Sequence, residues 1–424
     1  MLLLKKSIVL KDYDKCIFIG TDPLLSDSID SLLKNRAIEC LRYKREFVKI
    51  QYQYVNEYIS FIDKNEEKDY KSDWWKTRLS GKNPWISKFF LRFCQIKLIE
   101  NLLKLSDSKS NVLIIIEEKS VYYSIISLLK KENINHKELL KNFHLDYINL
   151  IFKGVLRRFY SCLYYPLKHL TIKLLFNSFW TKTFISNNVF TYSFIDSRCF
   201  DSNGFSDPFL GKFLKKINLN RGISFIPVLT NISLKKLLIF KKWISKNKYS
   251  VRFPIEDFSF KLYFKLFSLP KTTSKVFLCG INVAPLINFE RYEEWSNFSL
   301  HNELISNLTK RISNSNHNKL IIYPFENQIW ERYMLSELNG FVKKNYIIGL
   351  QNAPSPKLST RFFCSNKTKS NVPTPNSILS TGSISYENLI NFWPKKLLRK
   401  FSSSRKLITR IGNNNIESKN IMVA

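Results

Sequence analysis

The stretch Tyr323-Pro324-Phe325-Glu326-Asn327-Gln328-Ile329-Trp330-Glu331 places two carboxylates where an apolar run gives way to a helical pattern. At such a turn Glu326 lies near the positive end of the following helix dipole, where its carboxylate can accept hydrogen bonds from a sugar hydroxyl. With its pKa raised by burial it would serve as a general base, taking the proton from an acceptor hydroxyl. Glu331, one turn into the helix, would orient Glu326 or bind a second hydroxyl. Glu326 and Glu331 are therefore the candidate catalytic pair. The bland alternative is a capping Glu, worth about 1 kcal/mol, with Trp330 in the core.

These residues need a scaffold, and short apolar runs supply one. They are Cys16 to Ile19, Val112 to Ile116, Tyr192 to Ile195, Ser224 to Leu229, Val276 to Leu278, Leu320 to Tyr323, Tyr346 to Leu350 and Ser377 to Leu379. Most precede helix-like sequence, such as Ser120 to Lys131. That alternation predicts an α/β fold, a doubly wound and mainly parallel Rossmann-like sheet with helices on both faces. In open parallel sheets a ligand sits beyond the carboxyl ends of the strands. The residues that follow the runs include Asp22, Glu118, Asp196, Arg198, Asn327, Gln351, Asn352 and Gly382, the candidate substrate-binding set. The carboxylates and asparagines among them also suit helix caps.

Several chemistries are missing. There is no GxGxxG, no GxxxxGK[ST] and no GxSxG, which argues against a dinucleotide, P-loop or nucleophile-elbow enzyme. Glycine itself is scarce, 11 of 424 residues. Asp12-Tyr13-Asp14 has metal-binding spacing but precedes the first run and reads as a solvated turn. The seven cysteines and five histidines show no ligand spacing, so neither a metal nor a bound cofactor is predicted.

The net charge of +33 would suit a polyanion. Abundant Lys, Asn, Ile and Phe together also fit an AT-rich coding sequence, so nucleic acid is ranked last among partners. The location of the charge says more. From Tyr147 to Ile195 there is no Asp or Glu, and Lys153, Arg157, Arg158, Lys168, Lys173 and Lys182 are interleaved with Phe, Tyr and Trp. Residues 147–190 thus read as a helical insertion lying in the interface of an anionic membrane, with a buried helical hairpin as the alternative. No run reaches the ~18 apolar residues of a spanning helix, and the N-terminus lacks a signal-peptide core. The expected location is cytoplasmic, peripheral at the inner face of the cell membrane. The expected units are a Rossmann-like domain over 1–412, with a possible subdivision near 190, and a linker and stub over 413–424.

Four islands carry a resemblance. Glu326-Asn327-Gln328-Ile329-Trp330-Glu331 is followed some twenty residues on by Ile348-Gly349-Leu350-Gln351-Asn352. The others are Trp74-Trp75 with Lys82-Asn83-Pro84-Trp85-Ile86-Ser87, Asp196 to Asp201 with Gly204, Asp207 and Gly211, and Pro373-Thr374-Pro375 leading into Thr381-Gly382. Together they resemble a family of bacterial surface carbohydrate (O-antigen or capsule-type) biosynthesis proteins, of the two-Rossmann GT-B glycosyltransferase type. The resemblance adds Asp201 to the substrate-binding set. Asn352 stands where that family commonly has histidine. It implies a nucleotide-sugar donor, a lipid-linked or glycan acceptor, and a GT-B-like amino-terminal, acceptor-side half. The donor domain would then belong to sequence beyond the stub or to a separate chain. The alternative is a non-catalytic remnant, or an assembly partner of a donor-domain chain.

Overall fold

The computed structural model describes the chain between residues 13 and 401, except 21–26, 28, 30, 32–38, 41–42, 65–73, 106–110, 137–144, 177–187, 203, 208, 211–222, 231, 248, 260–268, 298–299, 315–318, 340–344, 352–358 and 364–372. Asp22, Asn352 and the stub at 413–424 lie outside the described residues.

The expected parallel α/β fold is present, as two sheets. The smaller holds β1 (Lys15–Ile19), β2 (Glu39–Cys40) and β3 (Val112–Ile116) in the order β2-β1-β3, all parallel. The larger has seven parallel strands, ordered β14-β13-β12-β11-β4-β7-β8. Its members are β4 (Val189–Ile195), β7 (Ile223–Leu229), β8 (Ser250–Val251), β11 (Lys319–Phe325), β12 (Asn345–Gln351), β13 (Ser377–Thr381) and β14 (Leu398–Phe401). Two short antiparallel ribbons, β5/β6 (Phe200–Asp201, Gly204–Phe205) and β9/β10 (Phe277–Leu278, Ile281–Asn282), lie outside these sheets. The run Val276 to Leu278 therefore feeds a ribbon rather than a parallel strand: its ladder closes through the turn at Cys279-Gly280, where both residues take positive φ.

Helices α1 (Lys44–Lys64), α2 (Phe89–Leu105), α3 (Lys119–Lys131) and α6 (Ala284–Ser296) pack around the smaller sheet and against one another. Helix α2 buries residues on every side, including Phe89, Phe93, Ile96 and Arg92, as a helix enclosed by others must. The remaining helices are α4 (Leu145–Phe176), α5 (Leu234–Asn247), α7 (Leu300–Ser313), α8 (Ile329–Asn339) and α9 (Gly382–Ile390). Strands β4, β7 and β11 are near-continuous apolar runs because separate clusters cover the two faces of their sheet.

Two prolines in these strands explain where pairing stops. Proline cannot donate to a ladder and is confined to unpaired edges. Strand β8 pairs with β7 only at Ser224 and Phe225, leaving Pro227 beyond it. Strand β4 pairs with β11 only as far as Thr191 and Ile322, leaving Pro324 beyond that ladder. Both β4 and β11 continue for several residues past their last contact, so the two splay apart toward their carboxyl ends.

Within the 147–190 segment, residues 147–176 belong to one helix of 32 residues, Leu145–Phe176, and Val189 and Phe190 open β4. The helix docks through Gly154, whose missing side chain admits the Trp295 ring, and through Arg158, whose guanidinium lies 3.7 Å over that ring. A Cβ at Gly154 would overlap the indole. Gly154→Ala should gain up to about 1 kcal/mol in helix propensity and lose about 1–3 kcal/mol to overpacking. The expected net result is a lower thermal unfolding midpoint, measured by circular dichroism; a raised midpoint would refute this docking.

Candidate functional site

The order of the larger sheet reverses between β4 and β11: from β4 the chain steps outward to β7 and β8, then returns to β11 on the other side and continues to β14. A crevice beyond such a switch point is where doubly wound sheets bind ligands, and here the splaying strands widen it. Trp330 of α8 fills the wedge, with its ring centroid 4.9 Å from Phe194, 5.9 Å from Tyr323 and 6.2 Å from Tyr192. It is floor and core, as the capping alternative held.

Glu326 stands on the rim of this crevice, at the strand-to-helix turn. Its side chain is 29% exposed, Gln328 Nε2 donates to its Oε2 at 3.2 Å, and Arg361 Nη1 lies 3.6 Å away. The burial expected of a general base is absent, because the carboxylate is partly open to solvent. Glu331 went the other way. It is fully buried, and its two oxygens accept from the backbone N–H groups of Glu326, Asn327 and Gln328 at 2.9, 3.0 and 3.0 Å. Burial pushes its carboxyl up to about 8 against the pull of these donors. Glu331 is a staple that shapes the turn presenting Glu326. It orients the turn through backbone, and its carboxylate does not face the crevice.

Asn327 adopts positive φ, a conformation asparagine tolerates better than most residues, and its buried amide donates to the Arg361 carbonyl. That bond brings the Arg361 guanidinium to Glu326. Across the crevice, Asp196 caps a short 3₁₀ turn, accepting from the Arg198 N–H at 2.8 Å and pairing with its guanidinium at 2.6 Å. The pair holds Asp196 below and Arg198 above their usual ranges, and the charge of Glu326 adds to the latter. Arg198 is mostly exposed.

Gln351 ends β12 in register with Phe325, so it sits beside the same rim. Its Oε1 accepts from Ser380 at 2.8 Å, while Nε2 is buried with no protein partner. The Tyr323 hydroxyl is likewise buried and unpartnered. Two orphaned polar atoms near the carboxyl end of one sheet cost about 1–3 kcal/mol each, a cost usually tolerated where an ordered water or a ligand completes the bond. Thr381 binds the Gln351 carbonyl, and Gly382, with φ +72 and open space where a side chain would stand, starts α9 next to it.

Glu326, Asn327, Gln351, Gly382, Asp196 and Arg198 are thus gathered along one sheet edge. Glu118 and Asp201 are not. Glu118 stands at the start of α3, two residues past β3 of the smaller sheet, in an ion network with Arg92, which also holds Glu290 at 2.6 Å, while Lys88 reaches Glu118 at 3.4 Å. Asp201 is an exposed residue of the β5/β6 ribbon. Among the described residues no group of His, Cys, Asp and Glu could hold a metal ion.

The segment from Lys82 to Ser87, one of the islands of the resemblance, also reaches the turn that carries Glu326. Asn83, 3% exposed, donates to Gln328 Oε1 at 3.1 Å, and its own Oδ1 accepts from the Trp85 N–H at 3.1 Å. The Trp85 indole is 87% exposed, the most exposed large apolar side chain among the described residues. Hydrogen bonds therefore run from Glu326 through Gln328 and Asn83 to the base of an open aromatic platform. The signal lay in the Lys82 to Ser87 island, which carries these residues together. Compared with protein-family models, with curated proteins and with solved structures, the chain matches none.

Proposed function

We propose that the chain is a glycosyltransferase of surface-polysaccharide assembly, with the crevice between β4 and β11 taking the acceptor hydroxyl. The observation that carries the reading is the Glu326 carboxylate, open to the crevice at the topological switch point and set by Gln328 and Arg361. In this mechanism the free lone pairs of Glu326 accept the proton of the attacking hydroxyl. Arg198 and Arg361 place positive charge where a donor's phosphates would lie. The exposed Trp85 indole offers an apolar face against which a pyranose ring can stack. The donor is a nucleotide sugar and the acceptor a lipid-linked or growing glycan.

The test is transfer from a panel of nucleotide sugars to lipid-linked acceptors, followed by mass spectrometry. Glu326→Gln should lower the rate about 10²–10⁴-fold, the usual worth of a general base, with no loss of thermal stability. Unchanged transfer in that variant would sink the role of Glu326. A second reading, a non-catalytic assembly partner, draws on the structural use of Asp196, Asn327 and Glu331, whose polar atoms hold the turns together. It is favoured if the chain binds no nucleotide sugar by calorimetry.

A further inference from the structure

We propose that the outward face of α4 docks in the headgroup region of an anionic lipid bilayer, lying along its plane. This inference stands independently of glycosyl transfer, because it rests on one helix and its packing. The orientation of α4 is set by its buried side: Gly154, Arg158, Ile172 and Phe176 all face the protein. The opposite side carries Phe152, Leu156, Phe159, Leu163, Leu167 and Leu174, between 51% and 75% exposed. With Leu170, 52% exposed, they recur every three or four residues and form a continuous stripe from residue 152 to 174, about 33 Å long at 1.5 Å per residue. A soluble monomer seldom shows contiguous apolar surface beyond a few hundred Å², and larger patches mark interaction sites.

The flanks identify the partner. Lys153, Arg157 and Lys168 border one side of the stripe and Lys173 the other, and no acidic residue occurs from Tyr147 to Ile195. Tyr160 and Tyr164 stack at 5.6 Å beside the stripe, with Lys168 5.5 Å from the Tyr164 ring. An apolar stripe bordered by cations and aromatic rings matches an acyl boundary beneath anionic headgroups. A second copy of the same face would bring cations against cations, and a nucleic acid would leave the leucines unburied. No helix among the described residues is long and apolar enough to cross a membrane, so the contact is parallel to the surface.

The experiment is co-sedimentation of the full chain with phosphatidylcholine vesicles, with and without phosphatidylglycerol. The wild type should pellet with the anionic vesicles and release as salt rises. Leu163→Glu/Leu167→Glu, at exposed positions, should weaken partition at least tenfold while circular dichroism and thermal midpoint stay unchanged. Lys153→Gln/Lys173→Gln should weaken it about 25-fold on anionic vesicles only, at about fivefold per basic residue near such a surface. Equal sedimentation of wild type and the Leu163/Leu167 variant overturns the proposal, as does the absence of vesicle binding. A dimer seen by light scattering and dissolved by Leu163→Glu/Leu167→Glu, without vesicle binding, assigns the stripe to a second copy. Salt-dependent DNA binding without vesicle binding assigns the charge to nucleic acid instead.

Discussion

Asp63→Ala is expected to destabilise the protein by about 3–5 kcal/mol, the usual result of stranding one member of a buried ion pair. Lys82 Nζ lies 2.6 Å from Asp63 Oδ1, and both side chains are wholly inaccessible. Removing the carboxylate would leave an ammonium in the interior with its closest counter-charge gone. Lys82 also adopts positive φ, and its carbonyl accepts from Thr360 at 2.6 Å. The pair therefore pins α1 to the segment that carries Asn83 to Gln328. Lys82→Met should cost about as much, whereas Asp63→Ala/Lys82→Met removes both charges and should cost clearly less than the two single losses added together. Urea unfolding of the four proteins gives the coupling energy. Single variants within 1 kcal/mol of wild type would mean that water or another charge compensates the pair. Since native proteins are stable by only about 5–15 kcal/mol, the single substitutions should also reduce soluble expression.

The parallel architecture was legible because strands covered on both faces are written as unbroken apolar runs. Leu320 to Tyr323 and Tyr346 to Leu350 could hardly have been anything else. What periodicity could not reveal was that β1 and β3 belong to a different sheet from β4 and β11. Pairing is a long-range choice, and residues 15–19 are as apolar as residues 347–350. Strand β4, the first of the larger sheet in chain order, starts at Val189.

Within the site, residue type was informative and direction was not. Glu326 and Glu331 are five positions apart, one at the turn before α8 and the other in its first turn, yet one meets solvent and the other the core. The difference arises from the positive φ at Asn327, which turns three successive N–H groups toward Glu331. Nothing in a one-dimensional pattern signals that turn beyond the Asn itself. Arg361 and Asn83 could not be placed at the site for another reason: each reaches it from a distant segment through a bond to backbone or amide.

Glu331 also gives the fold a dependence on pH. Its folded carboxyl titrates at about 8, and those of Glu256 and Glu294 at about 7, raised first by burial in all three. An unfolded glutamate titrates near 4.3. The native state therefore holds more protons than the unfolded chain between these values, and stability must fall as pH rises through that window. The contribution is complete below about pH 4.5 and gone above the folded values, and for Glu331 the difference is on the order of 3–5 kcal/mol. Glu331→Gln removes this titration. Its amide presents one carbonyl oxygen and one N–H₂ group to three backbone donors, so the variant should be less stable than wild type at pH 5. The gap should narrow toward pH 9, where the wild type bears the cost of a buried charge. Glu294→Gln, whose carboxyl meets the Arg78 N–H at 2.8 Å, should show the same convergence centred about one pH unit lower. The measurement is the unfolding midpoint of each variant minus that of the wild type, taken from pH 5 to 9. A difference that stays constant across that range would show that Glu331 keeps its charge throughout, with three N–H donors outweighing burial.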